Sequence, residues 1–179
     1  MLTKVDYTRF PRVPIWRRGL AFGIDFFSVW LPSILLSSGL PGFGIANIVV
    51  FVVTWFILRV LVVYRNQGQS LGRYALDMKA IDARLNRTPG LQALCQREAV
   101  TGFGALLVAI ALANLATNAG AVLLILPLAL ECSLAITEPE RRQAFHDRLA
   151  HTLVVPSRRG YSLDLKVKKM LAKARRDVR

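Results

Sequence analysis

The chain has 179 residues, 54% of them hydrophobic, and carries 24 lysines and arginines against 11 acidic residues, a formal charge of +13. With a mean hydropathy of +0.41, this excludes an ordinary soluble basic domain, because the charges are gathered into stretches that alternate with apolar runs. Cys95 and Cys132 have no second cysteine at metal-binding spacing, and a disulfide between them is not expected in a reducing compartment.

The N-terminal segment holds Lys4, Arg9, Arg12, Arg17 and Arg18 against Asp6. Residues 19–38 then form the first run long enough to cross a hydrocarbon core of about 30 Å, which needs roughly 20 apolar residues. It is too long for a cleaved signal and is expected to remain as the first span. Arg18, Ala21, Asp25, Ser28 and Pro32 share one helical stripe, while Phe26, Phe27 and Trp30 point elsewhere, towards lipid. A second span, 43–64, follows an uncharged connection around Gly39–Gly42.

The connection 65–98 is basic, with six lysines and arginines against Asp77, Asp82 and Glu98. Gly68, Gln69, Ser70, Leu71, Gly72 and Arg73 predict a tight turn into a short interfacial helix capped by Ser70. The spacing is not that of a phosphate-binding loop. Residues 76–82 roughly alternate, which predicts a short strand or hairpin. Thr88-Pro89 predicts a helix start, with Thr88 capping and Pro89 in the first turn, running past Arg97 into the third span.

The third span is placed at 99–116, where Thr101, Ala105, Ala109, Ala113 and Thr117 recur every four residues as a packing seam of small side chains. An uncharged turn at Thr117–Asn118 separates it from the fourth span, 119–137. The remainder, from Glu138, carries twelve basic and five acidic residues. Val167, Met170, Leu171, Ala174 and Val178 form an apolar stripe beside Arg158, Arg159, Lys166, Lys168, Lys169, Lys173, Arg175 and Arg176. This predicts an amphipathic helix lying on anionic lipid headgroups. No aromatic interleaving supports nucleic-acid binding.

These elements predict an all-α membrane protein with four transmembrane helices, a cytoplasmic interfacial loop holding short helices or a hairpin, and a C-terminal amphipathic basic helix. A membrane domain covers 1–156 and a basic tail 157–179. Because lysine and arginine resist translocation, the three basic segments are expected on the cytoplasmic side, with both termini inside. The membrane itself, at the cell surface or internal, is left open.

Asp25, Arg59 and Glu131 are ionisable groups within three different spans. At about 1.5 Å rise per residue each lies roughly 7–11 Å below the cytoplasmic surface. Such groups cost about 2.5–3.5 kcal/mol on insertion scales and normally face the protein interior with partners. Asp25–Arg59 and Glu131–Arg59 are the natural pairs, and the three sum to one negative charge, a site for a proton or cation. The alternative is that Arg59 and Glu131 snorkel to the interface. Arg18 and Asp25, about 10.5 Å apart along one helix, need separate partners, and Asp147 is within reach of Arg18. His146 and His151 do not share a helical face, so no metal site is expected. No cofactor site and no catalytic arrangement is found, so enzymatic activity is not expected.

Three blocks carry a family resemblance. They are Trp16-Arg17-Arg18-Gly19-Leu20-Ala21-Phe22-Gly23-Ile24-Asp25, Asn66-Gln67-Gly68-Gln69-Ser70-Leu71-Gly72-Arg73, and Gln143-Ala144-Phe145-His146-Asp147-Arg148-Leu149-Ala150-His151-Thr152-Leu153-Val154-Val155. Together and in this order they resemble the RDD family of membrane proteins, over roughly residues 12–156. The resemblance implies that the residues naming the family are Arg18, Asp25 and Asp147, with Arg17 as the other register. It departs from the family at His151, where glycine is usual, and at Tyr74-Ala75-Leu76. It implies transport of unidentified ligands, with cation–proton exchange suggested for some members.

Two functions from different classes therefore stand side by side. One is a small transporter or exchanger of protons, cations or a small solute; four helices enclose little space, so it would work as a homo-oligomer. The other is a non-transporting scaffold or regulator, whose intramembrane charges fix helix packing and whose tail binds anionic lipid or a partner.

Overall fold

The computed structural model describes residues 11, 13–35, 43–137, 143–157, 162, 163 and 165–167. Four helices are long and apolar enough to cross a membrane. The first is α1 (Ile15–Leu35). The second is a continuous run of α2 (Ile45–Phe56), a π-helical turn (Ile57–Leu61) and α3 (Val62–Arg65). The third is α5 (Leu91–Asn114), and the fourth a 3-10 segment (Ala119–Ile125) continued by α6 (Leu126–Thr137). Leu20, Phe27, Leu31, Val49, Val53, Phe103 and Leu130 are exposed, an outward apolar surface that only a bilayer makes favourable.

Between the second and third spans lie α4 (Leu71–Ala75) and β1 (Met78–Asp82); after the fourth come α7 (Phe145–Leu149) and β2 (Thr152–Pro156). The strands pair antiparallel, with Met78 opposite Pro156 and Asp82 opposite Thr152. The strand expected at 76–82 thus finds its partner far along the chain rather than in a local hairpin. This pairing brings the basic loop and the segment after the fourth span to one end of the bundle. Val13 joins them there, packed with Ala21, Leu76 and Met78.

Apolar burial gives helices little reason to associate in lipid, so dispersion and close approach carry the packing. The core of the bundle joins Phe26, Val29, Phe51 and Trp55 to Ala105 and Ala109. Phe51 and Trp55 stack at 5.6 Å between ring centroids. Thr101, Ala105 and Ala109 of the small-residue ladder are buried here, while Ala113 is half-buried and Thr117 exposed. Phe26 is a correction: it lies in the core, not towards lipid, because α1 presents Ala21, Asp25, Phe26, Val29 and Ser33 to its neighbours. At the far end, Asn47 Nδ2 donates to the Ser33 carbonyl at 2.9 Å, satisfying an orphan acceptor at the end of α1.

The helix that runs into the third span starts close to its expected beginning at Thr88-Pro89. Gly90, not Thr88, is the N-cap residue, and it makes no side-chain cap bond. The helix starts at Leu91, eight residues before the expected edge of the span. Arg97 and Glu98 lie on this helix, as the expected run past Arg97 implies, and within the spanning element rather than before its edge at 99. Of the expected lipid-binding tail, Lys166 is described and exposed. Arg158, Arg159, Lys168, Lys169, Lys173, Arg175 and Arg176 lie outside the described residues, as does most of the predicted amphipathic helix.

Candidate functional site

Arg59 sits in the π-helical turn, where the Val62 N–H reaches the Ile57 carbonyl five residues back. Such a turn, common at functional sites, widens the helix where a long cationic side chain must turn inward. Arg59 is 3% exposed, with its guanidinium 5.2 Å from the centre of the Trp55 ring. Its Nη1 donates to Asp25, and its Nε donates to Glu98 at 2.9 Å.

The loop between the second and third spans completes the coordination of Asp25. Ser70 Oγ donates to Asp25 Oδ2 at 2.6 Å, and the Gly72 backbone N–H to Oδ1 at 2.7 Å. Ser70 does cap α4, accepting from the Arg73 N–H at 3.3 Å. Gly72 has to be glycine, since a Cβ would run into the backbone of Ala21; this places α4 directly against α1. Gly68 has φ of +86°, and a Cβ there would strike the Ala80 carbonyl. Gln69 donates to the Met78 carbonyl at 2.8 Å. The glycines and polar residues of this loop are thus used to fit its backbone onto α1 and β1.

Glu98 is the hub that the sequence reading left out. Its carboxylate faces Arg59, Arg73 at 3.3 Å and Arg97 at 3.5 Å. Arg97 in turn reaches Asp147 Oδ1 at 3.0 Å, and Arg18 pairs with Asp147 Oδ2. A single chain of ion pairs therefore runs Asp25–Arg59–Glu98–Arg97–Asp147–Arg18. Every carboxylate in it is essentially inaccessible. Each buried ion costs several kcal/mol unless paired and hydrogen-bonded, so such a chain holds only if nearly every member finds partners.

Glu131 does not join Arg59, contrary to expectation. It accepts from the His146 backbone N–H at 3.2 Å and pairs with His146 Nδ1. The reason is topological: α7 returns beside α6, while the first turns of α5 put Glu98 next to Arg59. His146 Nε2 also lies 3.3 Å from Asp147. Burial alone would lower the His146 pKa, but Asp147 and Glu131 outweigh it and raise it above its ordinary 6.5. Burial likewise opposes ionisation of Asp147, yet Arg97 and Arg18 hold its carboxyl well below the usual range. Arg73 is pushed down to about 9 by burial, with the charges of Arg97 and Arg59 adding to it.

The signal for the missed members was present. Arg97-Glu98 fell within the helix expected to start at Thr88-Pro89, and His146 adjoins one of the motif aspartates. The expected sum of one negative charge also changes. Arg18, Arg59, Arg73 and Arg97 balance Asp25, Glu98, Glu131 and Asp147, before His146 is counted.

Beside the network is a cavity of about 170 Å³, walled by charged groups of the network and by apolar side chains including Phe22, Met78 and Val154. Among the described residues, no group of three or more His, Cys, Asp and Glu is placed to hold a metal ion.

The RDD family matches residues 12–151. The chain belongs to the RDD family. No curated protein and no solved structure gives a match. With four spanning helices, this RDD protein is a multi-pass membrane protein. The residues carrying the family resemblance converge in space: Arg18, Asp25, Ser70, Gly72, Arg73 and Asp147 all belong to or contact one ionic network. His151, which stands where the RDD pattern has glycine, has φ of +51°, the left-handed region that glycine occupies without strain.

Proposed function

We propose that this RDD protein binds a small charged solute in the cavity beside the ionic network and moves it across the bilayer. The charged end faces the cytoplasm, as the placement of lysine and arginine favours. The observation that carries this reading is the cavity itself. A network that served packing alone would be expected to close on itself, whereas here charges from α1, the π-helical turn, α4, α5 and α7 border an open volume. Intramembrane ionisable groups around a cavity commonly mark a solute or ion path. One chain encloses little space, so transport implies assembly of several copies. The chemistry needs no bound cofactor and no catalytic step.

The test is flux in vesicles of purified protein, read for protons, monovalent cations and small anions. Asp25→Asn should abolish flux while leaving the folded level intact; full flux in that variant ends the transport reading.

A second reading, a non-transporting scaffold, is favoured by a different observation: both oxygens of Asp25 already accept donors besides the Arg59 pair. A carboxylate so occupied ties α4 to α1 and leaves little room for a cation. Under this reading, Asp25→Asn combined with Arg59→Gln should restore assembly lost in either single variant, and no flux should be detected in the unaltered protein.

A further inference from the structure

The charges lining the cavity do not balance. Arg18, Arg59, Arg73, Arg97 and His146 face it against one carboxylate, Asp25, whose two oxygens are taken by Ser70 and Gly72. Glu98 and Asp147, which pair with these arginines, are not in its wall. Donors are left over: Nη1 of Arg73 and both Nε and Nη1 of Arg97 have no hydrogen-bond partner among the described residues, although Arg97 Nε lies 3.5 Å from Glu98. The two residues are 4% and 2% exposed, and a buried donor left without an acceptor is costly. A guanidinium has five N–H donors and no acceptor. The element in short supply around this cavity is an acceptor with negative charge.

We propose that the cavity binds a phosphate-type oxyanion, held by the guanidiniums of Arg73 and Arg97 and by the partly exposed Arg18. The planar fork of arginine matches the oxygens of a phosphate bidentately. At about 170 Å³ the space would hold several waters of about 30 Å³ each, enough for one tetrahedral group. Burial, with the charges of Arg97 and Arg59, pushes Arg73 down to about 9, and a bound anion beside it would offset both. The rim includes exposed Gly19, Cys132 and Ile136, on the first and fourth spans, so the same chemistry serves a free phosphate or the headgroup of a lipid lying against those helices. This inference rests on the cavity being a solute site, and it replaces the cation of the sequence reading with an anion.

The full-length chain, purified in a maltoside micelle that contains no phosphate, supplies the test. Its unfolding midpoint is followed against inorganic phosphate, against a short-chain phosphatidic acid, and against sodium chloride matched for sodium and ionic strength. A saturable rise with phosphate or with phosphatidic acid, absent with chloride, is the expected result. A rise with both identifies a free-oxyanion site, and a rise with the lipid alone identifies a headgroup site. Arg73→Gln should weaken the apparent affinity at least tenfold. Gly19→Leu provides a variant that keeps every charge, because a Cβ at Gly19 meets nothing within 4 Å. It should fold normally and lose binding by filling the mouth of the cavity. No rise with either ligand, a rise with chloride equal to that with phosphate, or undiminished binding in both variants overturns the site. Oxyanion binding without vesicle flux removes transport and keeps the site, whereas cation flux without oxyanion binding does the reverse.

Discussion

Asp147 shows how a single carboxylate can hold several parts of a membrane protein together. It is completely buried and faces Arg18 of α1, Arg97 of α5 and the adjacent His146. Asp147→Asn strands two cations, and removing one partner of a buried pair typically costs about 3–5 kcal/mol; thermal unfolding in detergent should show a loss of that order. The same groups set a pH dependence. The His146 pKa is raised above 6.5, so its contribution is fully present below about pH 6.5 and is lost as pH rises through the folded-state value. The Asp147 value is depressed below 3.8, so its contribution is present above about pH 4 and is lost as pH falls towards the folded-state value. Stability should therefore decline on both sides of a mildly acidic optimum, and His146→Gln should flatten the alkaline limb. His151 offers the opposite sign. Its φ of +51° strains a residue with a Cβ, and His151→Gly should stabilise the protein by about 0.5–1 kcal/mol by relieving that strain. A midpoint that falls in this variant would mean that the exposed Arg84–His151 contact, at 2.8 Å, outweighs the backbone term.

At the level of elements, α4 matters out of proportion to its five residues. It is too short to be stable alone and is held by Ser70 and Gly72 on Asp25, by Arg73 on Glu98, and by contact of Gly72 with the Ala21 backbone. Gly72→Ala should lift α4 from α1 and lengthen the bond to Asp25. The expected cost is about 1–3 kcal/mol, the usual range for overpacking, with little change in helical content by circular dichroism. An unchanged unfolding midpoint would contradict the close approach. The short sheet makes a complementary tie, since β1 and β2 join the loop to the segment after the fourth span. Such a pairing was half visible beforehand: alternation at 76–82 indicated a strand, but a strand's sequence does not name its partner.

For the whole molecule, four spans place the 117–118 turn at the opposite end from the ionic network. Reporter fusions near Asn118 and at Arg179 should therefore lie in different compartments, with the C-terminal one in the cytoplasm. Finding both in one compartment would refute the four-span topology. The arrangement also explains why so many charges coexist in so apolar a protein. Among the described residues, the buried charges are concentrated at one end, where α4, α7 and the sheet close over them and remove them from the hydrocarbon.

Length and hydropathy alone determined the four spans, because an apolar run long enough to cross the bilayer has few other stable fates. The order of the motif blocks around Asp25, Gly72 and Asp147 determined the family in the same way. What only the tertiary structure decided was the pairing of charges. Glu98 rather than Glu131 reaches Arg59, and His146 takes Glu131, because the partner of a charge depends on which helices become neighbours and on where each helix begins. Depth in the membrane can be counted along a sequence, but azimuth and adjacency arise from packing. An ion pair needs all of them at once.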